Sequence, residues 1–326
     1  MPIIDVHTHM FTRAWLEALR RDGSPYRVMI RPDGREEIFR GDTPVVFPQP
    51  GHFDYDLRID AMDAAGIDVA IVSLTCPNVY WGGEAISSAT ARDANRSMVI
   101  AQRTRAGRIE WFASLPWQYP DAAIEELARS CDEGAVGVMV IANIAGRSLT
   151  EPDFAPIWAE IDRRALPVLV HPGEPPGADA MDMRQYDLSW SVGFMLDTTL
   201  AFTRLIFDGF LDRHPNLKLI AAHGGGTLPY LVGRLEKGDE VELPQRRRML
   251  LKPTDYLRRI WYDCITYDPG ALRYLISVVG PDRVLFGTDW PHQVHDVAGS
   301  LANTGELPPD QRDAIRGSNA ERLFGL

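Results

Sequence analysis

Residues 3–9 read IIDVHTH. Ile3, Ile4 and Val6 favour extended backbone, and side chains alternate between the two faces of a strand. His7 and His9 therefore share one face, and Thr8 takes the other. Two imidazoles one residue apart at the end of a buried strand are an unusual use of polar groups, and the rest of the chain must say what they point at.

Outward from that stretch, residues 10–57 look irregular, with Pro25, Pro32, Pro44, Pro48 and Pro50 and the turn pair Asp33-Gly34. So long a connection reads as an insertion near a site or at a subunit contact. Beyond it, seven further apolar runs read as buried parallel strands: VAIVSL (69–74), EWFASLP (110–116), VGVMVIA (136–142), PVLVHP (167–172), KLIAAHGG (218–225), IWYDCIT (260–266) and RVLFGTDWP (283–291). Amphipathic stretches separate them, such as 121–134, which opens on Asp121 as a cap and closes on Gly134, and 154–165. Eight strands alternating with helices in 326 residues predict a (β/α)8 TIM barrel with an insertion after strand 1, the whole forming one domain over 1–326. No Gly-x-Gly-x-x-Gly or Walker sequence follows any of these strands, which disfavours an open nucleotide-binding sheet.

Composition narrows the function class. The formal charge is −11, with 45% hydrophobic and 24% charged residues. Nucleic-acid or anionic-membrane binding would call for a basic surface, so neither is expected. The cysteines Cys76, Cys131 and Cys264 are far apart and form no CxxC pair, which fits a reducing compartment. There is no signal-like N-terminus and no run of roughly 18 apolar residues. A soluble cytoplasmic protein is the expectation.

Of eight histidines, four fall at or just beyond strand C-termini: His7, His9, His171 and His223. Asp289 holds the same position on the eighth strand. A barrel gathers those ends at one mouth, where active sites of this fold are built. A single histidine after an apolar run is more often a hydrogen-bonded core residue. Four imidazoles and a carboxylate at one level instead make a donor set suited to a zinc-like ion.

The segments DVHTH (5–9), VLVHPG (168–173), AAHGGG (221–226) and LFGTDWP (285–291), in that order across almost the whole chain, resemble the amidohydrolase superfamily. HGGGTLPYLVGRLE (223–236) and YDLSW (186–190) are similar to its branch of aminocarboxymuconate-semialdehyde and aromatic-acid decarboxylases. The resemblance implies His7, His9, His171 and Asp289 as ligands of one divalent metal, with His223 as acid/base. Binuclear relatives use a carboxylated lysine at the end of strand 4, but VMVIANIAG (138–146) has no lysine, so one ion is expected. Zinc is the first choice and manganese the second.

The implied reaction is non-oxidative decarboxylation of a small unsaturated or aromatic carboxylic acid, with hydrolysis or hydration of a lactone or ring-cleavage product as the alternative. The branch places an arginine before a proline in the insertion to grip a substrate carboxylate. Here Thr43 precedes Pro44, and His52 is the nearby cation. Arg234 matches an arginine that reaches across a dimer interface, so a homodimer is expected. Trp190 matches an aromatic pocket residue, although a core role fits it too. His292 follows TDWP and is placed to touch substrate. Asn143, Trp81 and Trp117 follow strand ends and are placed at the mouth by position alone. His214 is expected at the opposite face of the barrel, His295 in a solvated loop, and Arg246 to Arg248 on a solvated face.

Overall fold

The computed structural model describes residues 1–21, 23–183, 185–241 and 249–326. Its thirteen described strands are β1 (Ile4–His9), β2 (Tyr26–Ile30), β3 (Glu36–Arg40), β4 (Thr43–Val46), β5 (Val69–Ser73), β6 (Ile109–Ser114), β7 (Gly137–Ile141), β8 (Asn143–Ile144), β9 (Arg147–Ser148), β10 (Pro167–His171), β11 (Lys218–Ala221), β12 (Trp261–Asp263) and β13 (Val284–Leu285). Eight of them form a parallel sheet in the order β1-β5-β6-β7-β10-β11-β12-β13. The ring closes through backbone bonds from Val6 N to Phe286 O (2.9 Å) and from Asp289 N to His7 O (2.8 Å). This is the predicted eight-stranded barrel.

The strands form where the apolar runs predicted them because both faces are covered. Every residue of β7 and β10 is buried, as parallel strands between an interior and a layer of helices must be. The later strands are short: β13 holds two residues, and the segment after it is irregular up to Asp289. The helix predicted from Asp121 runs Pro120–Asp132 instead, with Tyr119 as its N-cap. Proline at the first helical position presets the helical φ, so the cap falls two residues earlier than expected and Asp121 sits in the first turn.

The insertion is more ordered than its prolines suggested. It holds a helix over Arg13–Leu19 and an antiparallel sheet, β2-β3-β4. The β2–β3 hairpin turns at Asp33-Gly34, where Gly34 takes φ 83°. The helix packs inward through Trp15, Leu16, Ala18 and Leu19, all buried. Large side chains so enclosed contribute about 1.5–3 kcal/mol each.

The three-residue turn Pro50–His52 then leads into the helix Tyr55–Ala65, capped by Asp54. The last strand of the inserted sheet and the residue after it, Val45 to Phe47, reach the barrel mouth. No helix among the described residues is long and apolar enough to cross a membrane. The run Arg246 to Arg248 lies outside the described residues.

Candidate active site

The strand ends deliver their histidines to one point. His7 lies 5.0 Å from His9, 5.1 Å from His171 and 4.9 Å from His223 between ring centroids. Ligand-capable atoms of His7, His171, His223 and Asp289 all lie within 4.8 Å of one another, and those of His9, Asp289 and His292 form a second group sharing Asp289. His9 Nε2 stands 3.1 Å from Asp289 Oδ1, and His223 Nε2 3.3 Å from Asp289 Oδ2.

Most of these rings are fixed by one nitrogen, leaving the other toward the centre. His7 Nδ1 meets Asp263 Oδ2 at 2.6 Å, and His171 Nδ1 meets the Pro172 carbonyl at 2.7 Å. His9 Nδ1 lies 3.1 Å from Ser73 Oγ and 3.3 Å from the Leu74 carbonyl. The buried atoms His7 Nε2, His171 Nε2 and His223 Nδ1 have no hydrogen-bond partner. Such atoms are costly to bury unless something else satisfies them. A divalent ion does so, and imidazole nitrogens with a carboxylate oxygen are the donors it takes. The residues present fit the group.

Protonation at Asp289, His171 and His9 agrees with that use. Burial alone would raise the Asp289 carboxyl, but the His223 and His9 hydrogen bonds outweigh it and hold the group well below the usual carboxylate range. Burial drives His171 well below the ordinary imidazole value and His9 down to about 4. Both therefore present neutral nitrogens, the form that binds metal. His7 is also penalised by burial, yet the Asp263 hydrogen bond prevails and shifts it upward.

Asp263, at the end of β12, escaped the sequence reading. It accepts from the backbone N–H of His223 (2.8 Å), Gly224 (2.9 Å) and Ile265 (3.0 Å) as well as facing His7. The sequence shows only a carboxylate within the apolar run IWYDCIT (260–266), and the structure ends the strand at that residue. Asp5, within β1 and two residues before His7, accepts from Thr288 Oγ1 at 2.6 Å, and burial pushes it up to about 6. Buried Arg58 donates to Thr8 Oγ1 and, at 2.6 Å, to the His9 carbonyl, tying down the strand that carries both imidazoles.

Two floor residues adopt the left-handed backbone region, His223 with φ 54° and Asp289 with φ 60°. Non-glycine residues there cost about 1–3 kcal/mol, a strain that clusters at functional sites. Gly225 and Gly226 also have positive φ, and a Cβ on Gly226 would lie 2.5 Å from the Met195 carbonyl. The glycines after His223 thus serve close backbone approach.

Above the floor opens a cavity of about 600 Å³ whose lining includes His171, His223, Asp289, His292 and Trp190. Trp190 meets Phe47 edge-on at 4.9 Å, and His292 Nε2 lies 3.2 Å from Thr75 Oγ1.

Asn143, His52, Trp117 and Trp81 take other places than expected. Asn143 is absent from the lining, because its amide donates to Asp197 and to the Glu174 carbonyl, each at 3.0 Å, while its oxygen accepts from Gly146 N. His52 is no carboxylate grip: it is fully buried, stacked on Phe11 at 3.9 Å, with Nδ1 accepting from Gln49 N. Trp117 packs against Trp158 and Phe154, and Trp81 against Trp15 and Tyr26, so both belong to the core. Arg234 is exposed on the helix Leu228–Asp239 and outside the cavity lining. His214 precedes β11, hence at the far end of the barrel, and His295 is exposed.

Residues 4–326 match the family described as amidohydrolase. The chain is 30% identical to a 2-amino-3-carboxymuconate-6-semialdehyde decarboxylase of Dictyostelium discoideum, covering 99% of this chain and 91% of that one. It is 33% identical to a gamma-resorcylate decarboxylase of a Rhizobium strain, over 83% of this chain and 87% of that one. Among solved structures, a 2,6-dihydroxybenzoate decarboxylase complexed with 2,6-dihydroxybenzoate superposes with a TM-score of 0.84 at 26% identity, covering 100% of both chains.

Proposed function

The chain belongs to the amidohydrolase family, and from that premise we propose that it is a metal-dependent, non-oxidative decarboxylase of a small aromatic or unsaturated carboxylic acid. The observation that carries the reading is the set of buried, unpartnered imidazole nitrogens grouped with Asp289 at the floor of the cavity. The relatives named above, all decarboxylases, support the same reaction class.

His7, His9, His171 and Asp289 are the residues that would hold the ion, with zinc the first choice and manganese the second, because both accept nitrogen and oxygen donors. When bound, the ion supplies positive charge that orients and polarises the substrate's oxygens. The remaining steps fall to the chain. His223 is the floor histidine with Nε2 turned to Asp289 and Nδ1 without a partner. It delivers a proton to the carbon that bears the carboxylate. The carbon–carboxylate bond then breaks, its electron pair returns to the ring or chain, and carbon dioxide leaves. Without that protonation an unstabilised carbanion would form, so the proton is what lowers the barrier. Trp190 and His292 flank the substrate, and the enclosed floor limits water.

The test is release of carbon dioxide from hydroxybenzoates and aminomuconate semialdehydes. Turnover of lactones without carbon dioxide would transfer the assignment to a hydrolase or hydratase. Asp289→Ala and His171→Ala should strip the metal, measured by elemental analysis. His223→Ala should keep it and lose about 10²–10⁴-fold in rate. Loss of the ion from that variant would make His223 a ligand instead, a position its grouping with His7, His171 and Asp289 also allows.

The same reading carries a single domain over 1–326 with residues 10–57 at the mouth, a homodimer to which Arg234 contributes, and a cytoplasmic setting. Sedimentation of the purified protein and lower specific activity on dilution below dimer dissociation test the dimer. Cell fractionation tests the setting.

A further inference from the structure

The cavity is much larger than its floor requires. About 600 Å³ sits in the middle of the range of about 300–1,000 Å³ that encloses drug-sized ligands. One ring with a carboxylate on the floor leaves most of it empty. What lines the remainder is hydrocarbon and aromatic: Phe47 from the insertion, Phe194 and Met195 beyond β10, Ile265 beyond β12, and Tyr274 and Leu275 on the helix Pro269–Val279. Among the described residues no lysine or arginine lines it. Two lining tyrosines have already committed their hydroxyls: Tyr267 donates to the Val294 carbonyl at 3.0 Å and Tyr274 to the Pro229 carbonyl at 3.3 Å. Their hydroxyl protons are not available to a ligand in that arrangement.

In the lining, the imidazoles of His171 and His223 and the carboxylate of Asp289 sit at the floor, whereas Ser191, Tyr230, Thr266 and Gln293 elsewhere in it are neutral and bring no counter-charge. A second carboxylate on the substrate would be stranded against apolar walls, where an unpaired charge is strongly disfavoured. An apolar substituent would instead exchange water for hydrocarbon contact along the wall.

We propose that the cavity selects an aromatic or unsaturated monocarboxylic acid carrying an apolar substituent of several carbons at the end remote from the carboxylate, and discriminates against a second carboxylate there. This rests on the decarboxylase reading for the position of the carboxylate.

The experiment uses the zinc-loaded full chain and a series of 2-hydroxybenzoates bearing hydrogen, methyl, propyl or pentyl remote from the carboxylate, with the corresponding dicarboxylate as the comparison. Binding is measured by calorimetry and carbon dioxide release in parallel. Affinity should rise about fourfold per added methylene over the first carbons, and the dicarboxylate should bind at least about tenfold more weakly than the propyl acid. Ala271, exposed at the start of the same helix and lining the cavity, supplies the variant: Ala271→Phe should cancel the gain of the longer members more than it weakens the unsubstituted acid. A flat or falling series, or preference for the dicarboxylate, overturns the proposal. The two readings fail separately. A rising series without carbon dioxide from any member supports the cavity assignment and counts against the reaction, whereas carbon dioxide with a flat series does the reverse.

Discussion

At the floor of the cavity, His7 and His171 each have one nitrogen fixed by a carboxylate or carbonyl, and backbone N–H groups of β11's end are gathered onto Asp263. At the wall, Val45 to Phe47 arrive on an inserted antiparallel sheet whose ties to its surroundings are partly exposed ion pairs, Arg13 and Arg20 to Glu36 and Arg40 to Glu174. The floor is buried, polar and mutually constrained, so a change at one residue propagates to its neighbours. The wall is apolar, and although Ile38 and Val46 anchor its sheet in the core, none of its ties runs through the imidazole cluster, so it can vary with less disturbance to the chemistry. On the proposed reading, the reaction is fixed at the strand ends, and the choice of acid is left to an insertion and the helices beyond the strands.

The largest expected effect breaks the floor through a residue outside the proposed ligand set. In Asp263→Asn the side chain keeps its size and one oxygen, which can still accept from Gly224 N and Ile265 N. An amide nitrogen replaces the oxygen that faces His7 Nδ1 and His223 N. His7 must then offer Nδ1 as an acceptor and carry its proton on Nε2, the nitrogen directed to the metal position. Metal affinity should fall about 10–100-fold with far-ultraviolet circular dichroism unchanged, as read by chelator competition. Unchanged affinity would show that Asp263 does not set the His7 tautomer.

How legible this division was in the sequence differs between its two halves. The floor was readable because strand alternation and strand ends convert spacing into direction: His7 and His9 share a face, and His171, His223 and Asp289 fall at the same level of the barrel. Asp263 was missed because one carboxylate inside a three-residue strand looks like a polar interruption, and only the fold shows that it receives three backbone N–H groups. Asn143 was misplaced for a related reason. A strand end gives a location but not a direction, and its amide turns back to Asp197. The insertion looked irregular because its prolines dominated, although β2 and β3 are β-prone runs flanking an Asp-Gly turn, a recognisable hairpin pattern. Of the cavity wall only Trp190 and His292 were readable, since its other residues come together only through tertiary packing.

A smaller effect lies where floor and wall meet. Asp197, on the helix Phe194–Phe207, accepts from Gly173 N at 2.9 Å and from Asn143, holding the loop that follows His171. Burial pushes its carboxyl up to about 7, against the lowering influence of those two donors. Between the unfolded value of 3.8 and about 7 the folded protein holds a proton that the unfolded chain has released. Stability from this group is therefore lost as pH rises through that window, and the slope vanishes above it. Asp197→Asn removes the titration. The stability of the native protein minus that of the variant should fall with pH by at most about 1.4 kcal/mol per unit, measured by urea unfolding at about pH 5, 6 and 7. A difference independent of pH would show that Asp197 is ionised throughout.

The smallest effect probes the wall alone. Arg40, at the end of β3, reaches Glu174 in the loop after β10 at 3.0 Å, with side chains 55% and 26% exposed. Exposed pairs contribute about 0.2–1 kcal/mol, so Arg40→Ala should hardly move the unfolding midpoint. Its expected consequence is local: the inserted sheet loses a tie to the loop carrying Pro172 to Glu174, and Phe47 packs less firmly against Trp190. KM should rise by a factor of about 1.4–5, the same free energy expressed as binding, while kcat and metal content stay unchanged. Metal loss on Arg40→Ala would mean that wall and floor are mechanically coupled, because the tie ends three residues from His171. A pure KM effect would place the boundary between chemistry and selection at the loop where Asn143 and Asp197 hold the floor in place regardless of what the inserted sheet does.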